Sequence, residues 1–412
     1  MLKELGRNFW LYTVGRWISQ AGWVIQDVAV PLYVLDKTGS GAMMGLFVIA
    51  ELTPRLIMNP IAGVIGDRYN RKHLMVGFDL ARGVLLFGVI AFNLLNIHQL
   101  LMIQVLMSIM GSFFSAGISG MFPDLVRKDQ LAQANSTLQS GGQIIRIIGP
   151  ILGGLIYALG GIRLAILINA VSFFGSGLFE MLIEYHWKTR KISDISEIWD
   201  DMLEGFRFIR SSRNLLVLVS FAVILNTLLN PVFIVILPYL SRVTLRLSSV
   251  QFGSVQTAAT IGALTGNLLI AGKFKESSER HLFKALFGQL AVMFLLAPVA
   301  LPAFRSIAYL MLPIIFVVFG IFNTLVNIPI FAKLQKVVPN EVRSRFFSAF
   351  ETMIMATTPL GMAVIGFLLD IVDICTLTTV LVALSFLISA YYYINFRQSV
   401  INLGSDIEGV IA

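Results

Sequence analysis

Apolar residues run along this chain in long blocks separated by short polar stretches. The blocks predict membrane-spanning helices near 8–34, 41–64, 74–96, 98–122, 132–158 and 162–185. After a polar stretch, others follow near 214–240, 248–271, 282–302, 306–332, 344–369 and 374–396. Each is long enough to cross a bilayer with some tilt, for which about 20 residues suffice. The first run is too long for the apolar region of a cleaved leader and lacks a small-residue cleavage site, so it reads as a retained helix. The predicted organisation is residues 1–186, a first six-helix bundle; 187–213, a cytoplasmic linker; and 214–412, a second six-helix bundle.

Within the linker, Ile195, Ile198, Trp199, Met202, Leu203, Phe206 and Ile209 recur at helical spacing, beside Arg207, Arg210 and Arg213. This predicts an amphipathic helix that tethers the two bundles or lies on the inner membrane surface.

Composition narrows the class. The chain is 57% hydrophobic and only 13% charged, against about 25% charged in soluble domains. A net charge of +8 does not form the dense basic patch that nucleic acid requires. The basic residues follow the apolar blocks instead. With the N-terminus inside, Lys3, Arg7, Arg68, Arg71, Lys72, Arg127 and Lys128 face the cytoplasm in the first half. Lys188, Arg190, Lys191, Arg207, Arg210, Arg213, Lys273, Lys275, Arg280, Lys284, Lys333, Lys336, Arg343, Arg345 and Arg397 do so further on. Outside there are Lys37, Arg163, Arg242, Arg246 and Arg305. This asymmetry predicts cytoplasmic termini. Cys375 is the single cysteine, His73, His98, His186 and His281 are scattered, and no nucleotide-binding loop is present. No cofactor, metal or enzymatic centre is predicted.

The two halves repeat. Pro31-Leu-Tyr33 matches Pro238-Tyr-Leu240, Gly45 matches Gly253, Arg71-Lys-His-Leu74 matches Glu279-Arg-His-Leu282, and Pro150 matches Pro359, at a nearly constant offset of about 208 residues. Parallel six-helix halves are a transporter architecture, with the substrate near the midplane.

Two motifs carry a family resemblance. Gly63-Val-Ile-Gly-Asp67-Arg68-Tyr-Asn70-Arg71-Lys72, between spans two and three, resembles the signature loop of the major facilitator superfamily. Asn70 stands where the family usually has glycine, and Asn tolerates a left-handed turn. Gly63 would permit close helix contact. The resemblance implies a conformational latch of Gly63, Asp67, Arg68, Arg71 and Lys72, with Asp67 meeting the start of span eleven near Glu341 to Phe347, where a carboxylate suits the helix dipole. Lys275 replaces that acid in the second half. In span five, Gly149-Pro150-Ile-Leu-Gly153-Gly154 resembles the motif of the exporting, antiporter branches, with simple small-residue packing as the alternative. Span four has Gln104 where drug antiporters of the family carry an arginine. Taken with Asp27, Pro31, Pro54, Pro60, Asp79 and Arg82, the first 185 residues resemble most the macrolide and siderophore efflux branch. The fold implied is all-α, with twelve transmembrane helices in two pseudo-symmetric bundles.

Charges inside spans need a partner or a water-filled cavity. Arg16, Gln20, Trp23 and Asp27 form one polar stripe on span one, which reads as a cavity wall. Arg16 and Asp27 stand about 16 Å apart along the axis and cannot pair. Glu51 and Arg55 lie one turn apart and can neutralise each other. Arg146 needs an acid from another helix, with Asp27 and Glu51 the first candidates. Asp79 and Arg82 read as supports of the signature loop. The second half offers Asn226, Asn230, Asn323 and Asn327, with Glu351 its single mid-membrane acid. The expectation is proton-coupled export of amphipathic small molecules by a monomer in a bacterial-type inner membrane, with Asp27 or Glu51 as the proton-binding acid. The alternatives are a transporter of one solute (a siderophore, a lysolipid or a nutrient) and, from another class, a membrane-embedded enzyme or scramblase.

Overall fold

The computed structural model describes residues 5–187, 195–272 and 281–401. Lys3, Lys188, Arg190, Lys191, Lys273, Lys275, Glu279 and Arg280, and the side chains of Ile195 and Ile198, lie outside the described residues. Helices α1 to α4 are Arg7–Thr38, Gly41–Arg68, Arg71–Ala91 and Ile97–Met121. Helix α5, Leu131–Met181, carries two spans joined at Gly161, whose φ of 61° and ψ of −158° break the helix. Only glycine enters that region without strain. The amphipathic α6 is Ile195–Ser211. Helix α7, Arg213–Thr244, widens into π-turns at Val232–Ile236 and Leu240–Thr244. Helices α8 to α12 are Ser249–Gly272, Leu282–Val299, Ala308–Val337, Asn340–Leu369 and Ile374–Ile401.

Among the described residues nine helices are long and apolar enough to cross a membrane. Helices α1 and α8 match them in length, and Arg16, Gln20, Gln26 and Asp27 interrupt the apolar run of α1. With α5 counted as two spans and α6 as none, the fold is an all-helical bundle of twelve spans. Local signals set several boundaries. Asn96 and Gln99 form a reciprocal capping box at the start of α4, and the Ser212 hydroxyl accepts the Leu215 amide at the start of α7. Such caps satisfy amides that a helix start leaves without partners.

The chain divides into two compact units. The first comprises Met1–Thr38, Phe47–Ile195 and Ser248–Gly253; the second comprises Gly39–Leu46, Ser196–Leu247 and Ser254–Ala412. In the first, α1 and α3 pack on α5, and α4 on α3. In the second, α11 and α12 pack on α7, while α9 packs on α10 and α12. The repeat is visible within each unit. A Cβ on Gly253 would lie 2.1 Å from the carbonyl oxygen of Pro150, and one on its repeat mate Gly45 would lie 2.7 Å from that of Met362. Pro150 and Pro359 are themselves repeat mates, so equivalent helix starts abut equivalent proline-containing helices.

Helix α6 belongs to the second unit. Gly205 lies against the Arg345 backbone, Phe208 meets Phe346 edge-on at 6.2 Å, and Ile209 is buried. Arg345 at the start of α11 ion-pairs with Asp201 and with Glu204, each at 2.7 Å. Trp199 and Leu203 stay exposed on the other side.

Candidate transport cavity

A cavity of about 330 Å³ lies within the first unit. Its wall includes Arg16, Ser19, Gln20 and Trp23 from α1, Arg55 from α2 and Arg82 from α3. Gly111, Phe114 and Ser115 of α4 and Leu138, Gln139, Gly142, Arg146 and Phe173 of α5 complete it. The four arginines that sequence analysis placed inside spans therefore meet around one space.

Each arginine is held differently. Arg82 is buried and ion-paired with buried Asp79. Its guanidinium carbon stands 4.0 Å from the Phe114 ring centroid and 4.3 Å from that of Phe173, an aromatic sandwich that fixes the side chain. Arg16 also approaches the Phe114 ring, its guanidinium carbon 5.6 Å from the centroid. Arg146 donates from Nε to Gln143 Oε1 at 2.9 Å, so the expected partnership with Asp27 or Glu51 is not made. Both residues sit one turn apart on α5, and the amide reaches the guanidinium first. A guanidinium nitrogen of Arg55 stands 3.8 Å from where a Gly111 Cβ would be. Arg55 thus brings a cation onto α4 beside a glycine, in a helix that has Gln104 but no charged residue in its span. Arg16, Arg55 and Arg146 form no ion pair closer than 4 Å among the described residues.

The acids stand outside this wall. Asp27 is exposed on α1 and lies in the field of Glu51 and Arg55. Arg16, Gln20 and Trp23 line the cavity while Asp27 does not, so the polar stripe divides. Gln104 lies within hydrogen-bonding reach of the Glu51 carboxylate, and the Glu51 backbone carbonyl accepts the Ser108 hydroxyl. Glu51 and Arg55 interact through their charges without forming a close pair. Trp23 meets Phe173 edge-on at 6.4 Å, and both rings line the cavity.

Asp79 and Arg82 correct the sequence reading: they pair with each other beside the cavity rather than with the signature loop, Arg82 lining it and Asp79 not. There they are joined by Glu180 of α5, which sequence reasoning missed. Glu180 is fully buried and accepts the Ser176 hydroxyl at 3.0 Å. Ser176 is also within hydrogen-bonding reach of Asp79. One oxygen of each carboxylate, Oδ2 of Asp79 and Oε2 of Glu180, is buried with no hydrogen-bond partner.

The signature loop is held by a separate network. Arg71 donates to Asp67 Oδ1 at 2.9 Å and to the Gly120 carbonyl at 2.7 Å, and pairs with Asp124 at 3.8 Å. Asp124 also accepts the Tyr185 hydroxyl at 2.9 Å. Asp67 is thus engaged by a cation of its own loop. Gly63 meets nothing within 4 Å, and Gly66, facing Ala116, makes the close approach instead. Asn70 is not left-handed. Its φ is −61°, and its side chain caps α3 by accepting the Lys72 amide at 3.0 Å. Arg68 is exposed. In the α5 motif, Gly149 faces Val24, Gly153 faces Val28 and Ile25, and Gly154 faces the Ser249 carbonyl, so these positions pack helices tightly around Pro150.

The second unit has its own cavity, of about 80 Å³. Asn226, Asn230, Gln289, Asn323 and Asn327 line it among Phe221, Phe233 and Phe319, with no charged residue. Asn230 donates to Asn226 at 3.2 Å, and Asn327 donates to the Asn323 carbonyl at 2.9 Å. Glu351 is exposed on α11 and does not line it.

A family model described as Major Facilitator Superfamily matches residues 12–362. The chain belongs to the Major Facilitator Superfamily. Macrolide efflux protein A of Streptococcus pyogenes is 23% identical over 283 residues, 67% of this chain and 68% of that protein. The enterobactin exporter EntS of Escherichia coli is 28% identical over 280 residues, 66% of this chain and 65% of that protein. The nucleoside transporter NupG superposes with a TM-score of 0.72 at 15% identity, covering 94% of this chain and 98% of NupG. A bacterial homologue of the iron transporter ferroportin, in an inward-facing state, gives 0.66 at 18%, covering 94% and 98%. These structural likenesses establish the fold. As a facilitator-superfamily member with efflux transporters among its relatives, the chain is a multi-pass membrane transporter and not an enzyme.

Proposed function

We propose that this transporter exports amphipathic small molecules in exchange for protons, by alternating access in a bacterial inner membrane with both termini in the cytoplasm. The observation that carries the reading is the concentration of ionisable groups in the first unit. Four arginines surround one cavity, and Asp27, Glu51, Asp79 and Glu180 stand just outside its wall. Charges inside spans are costly and mark ion or substrate paths. A carboxylate that alternates between an arginine and a proton links ion movement to substrate binding. Glu51 and Asp27 beside Arg55 have that arrangement, and so does Glu180 with its unpartnered oxygen beside Asp79 and Arg82.

Direction rests on the efflux proteins among the relatives and on the Gly149-Pro150 motif. A narrower reading, export of one dedicated solute, is favoured by the similarity to an enterobactin exporter. Proteoliposomes with an imposed pH gradient test the general reading, using a panel of fluorescent amphiphiles. Gradient-driven movement of several probes, abolished by a protonophore, supports it. Movement of none, or movement indifferent to the gradient, overturns it.

A further inference from the structure

The wall of the first unit's cavity is more specific than its size. Every charge on it is positive, and the remaining polar lining is neutral: serines and glutamines. The acids nearby are turned to other tasks. Asp79 pairs with Arg82, Glu180 accepts from Ser176, Glu51 lies within hydrogen-bonding reach of Gln104, and Asp27 does not line the cavity. Arg82 is fixed by two rings and its own counter-ion, so it supplies a rigid part of the wall. Arg16 and Arg55 are left without a carboxylate within 4 Å, and the Arg146 side chain is satisfied at Nε by a neutral amide. Three guanidiniums converge on a part-enclosed space with no carboxylate in direct contact, Arg55 feeling Asp27 and Glu51 and Arg16 feeling Asp79 and Glu180 only at longer range, so an anion brought against them makes the contacts those acids do not. Planar guanidinium donors match carboxylate and phosphate oxygens two at a time.

We propose that this cavity binds the anionic head of the substrate, so that the transported class is amphipathic anions bearing a carboxylate or phosphate, held between Arg16, Arg55 and Arg146. Trp23 and Phe173, which share the wall, offer apolar ring surface beside the guanidiniums for the adjoining part of the molecule. The inference rests on the export reading for its transport meaning, but the binding site stands on the lining alone.

The test uses the purified full-length protein and four probes sharing a ten-carbon chain: decanoate, decyl phosphate, decanol and decyltrimethylammonium, below micelle-forming concentrations. Thermal unfolding is followed against probe concentration, since a ligand of the folded state raises the midpoint by mass action. The two anions are expected to act at concentrations about tenfold lower than decanol, the advantage of a charge-assisted hydrogen bond. The cation is expected to give no stabilisation beyond that of the chain. Decanoate against decyl phosphate separates carboxylate from phosphate recognition. Arg146→Gln, on an exposed side chain, is expected to remove most of the anion advantage, while Arg146→Lys keeps part of it. Should Arg146→Gln fail to fold, the loss of the decanoate advantage in high salt serves the same purpose. Equal potency of decanoate, decanol and the cation overturns the proposal, as does an unchanged decanoate response in Arg146→Gln. Gradient-driven transport of cationic probes with no anion preference sinks the anion site and leaves the export reading standing. Anion binding without transport in vesicles does the reverse.

Discussion

Asp370 accepts the backbone amide of Gly41 at 2.6 Å, across 329 residues of sequence. The same carboxylate takes the Ser40 hydroxyl at 2.6 Å and the Ala42 amide at 3.2 Å. A residue at the end of α11 thereby caps the first turn of α2. An anion at a helix N-terminus satisfies free amides and suits the dipole, with a typical contribution of about 1 kcal/mol. Asp370→Ala is therefore expected to loosen this turn. With Cys375→Ser as background, a cysteine at Ala42 should be labelled several-fold faster in the Asp370→Ala variant. An unchanged labelling rate would show that the cap does not hold the turn.

The Asp79–Arg82 pair is buried beside the cavity, so removing one partner strands a charge. Asp79→Asn is expected to cost about 3–5 kcal/mol, and the double change Asp79→Asn, Arg82→Met should recover a substantial part of it. Denaturation of the detergent-solubilised protein measures both. Equal losses in the single and double variants would mean that Arg82 does not depend on Asp79.

Glu51→Gln, Asp27→Asn and Glu180→Gln separate the candidate coupling acids. The variant lacking the coupling acid should lose gradient-driven transport at least tenfold, while retaining exchange of labelled for unlabelled substrate across equal pH. If all three retain full gradient-driven transport, the proton is carried elsewhere.

Gly253 has no room for a side chain, with the Pro150 carbonyl oxygen 2.1 Å from a Cβ position. Gly253→Val is expected to lower the unfolding midpoint by several degrees, as overpacking costs about 1–3 kcal/mol. Gly45→Val should do the same by the repeat relation. Gly63→Val, facing open space, should leave the midpoint unchanged in this conformation.

Much of this was legible in the sequence because the bilayer imposes a long, one-dimensional signal. The spans, the repeat pairs Gly45 with Gly253 and Pro150 with Pro359, and the in-span arginines all follow from apolar run length and isolated charge. What was not legible depended on neighbours in space. Glu180 lies four residues before Glu184 near a predicted span end, where a carboxylate reads as interfacial. Only the packing of α1 and α3 on α5 buries it, and Ser176, one turn earlier, was the local hint. Isolated charge points Arg146 to a distant acid, whereas Gln143, one turn away, accepts from its Nε. Asn70 was read by its tolerance of a left-handed turn, while its commoner role as a helix cap prevailed. Asp370 gave no local sign of its partner, since its link to Gly41 exists only after folding.

The arginine-lined cavity bears on what drives the cycle. Bacterial cells are electrically negative inside, and moving one charge through 100 mV is worth about 2.3 kcal/mol. An anion leaving from among Arg16, Arg55 and Arg146 travels down that voltage, and a proton entering in exchange does so too. Each turnover would then discharge the membrane by two charges, so a lipophilic ion that collapses the voltage should slow export even when the pH difference is held constant.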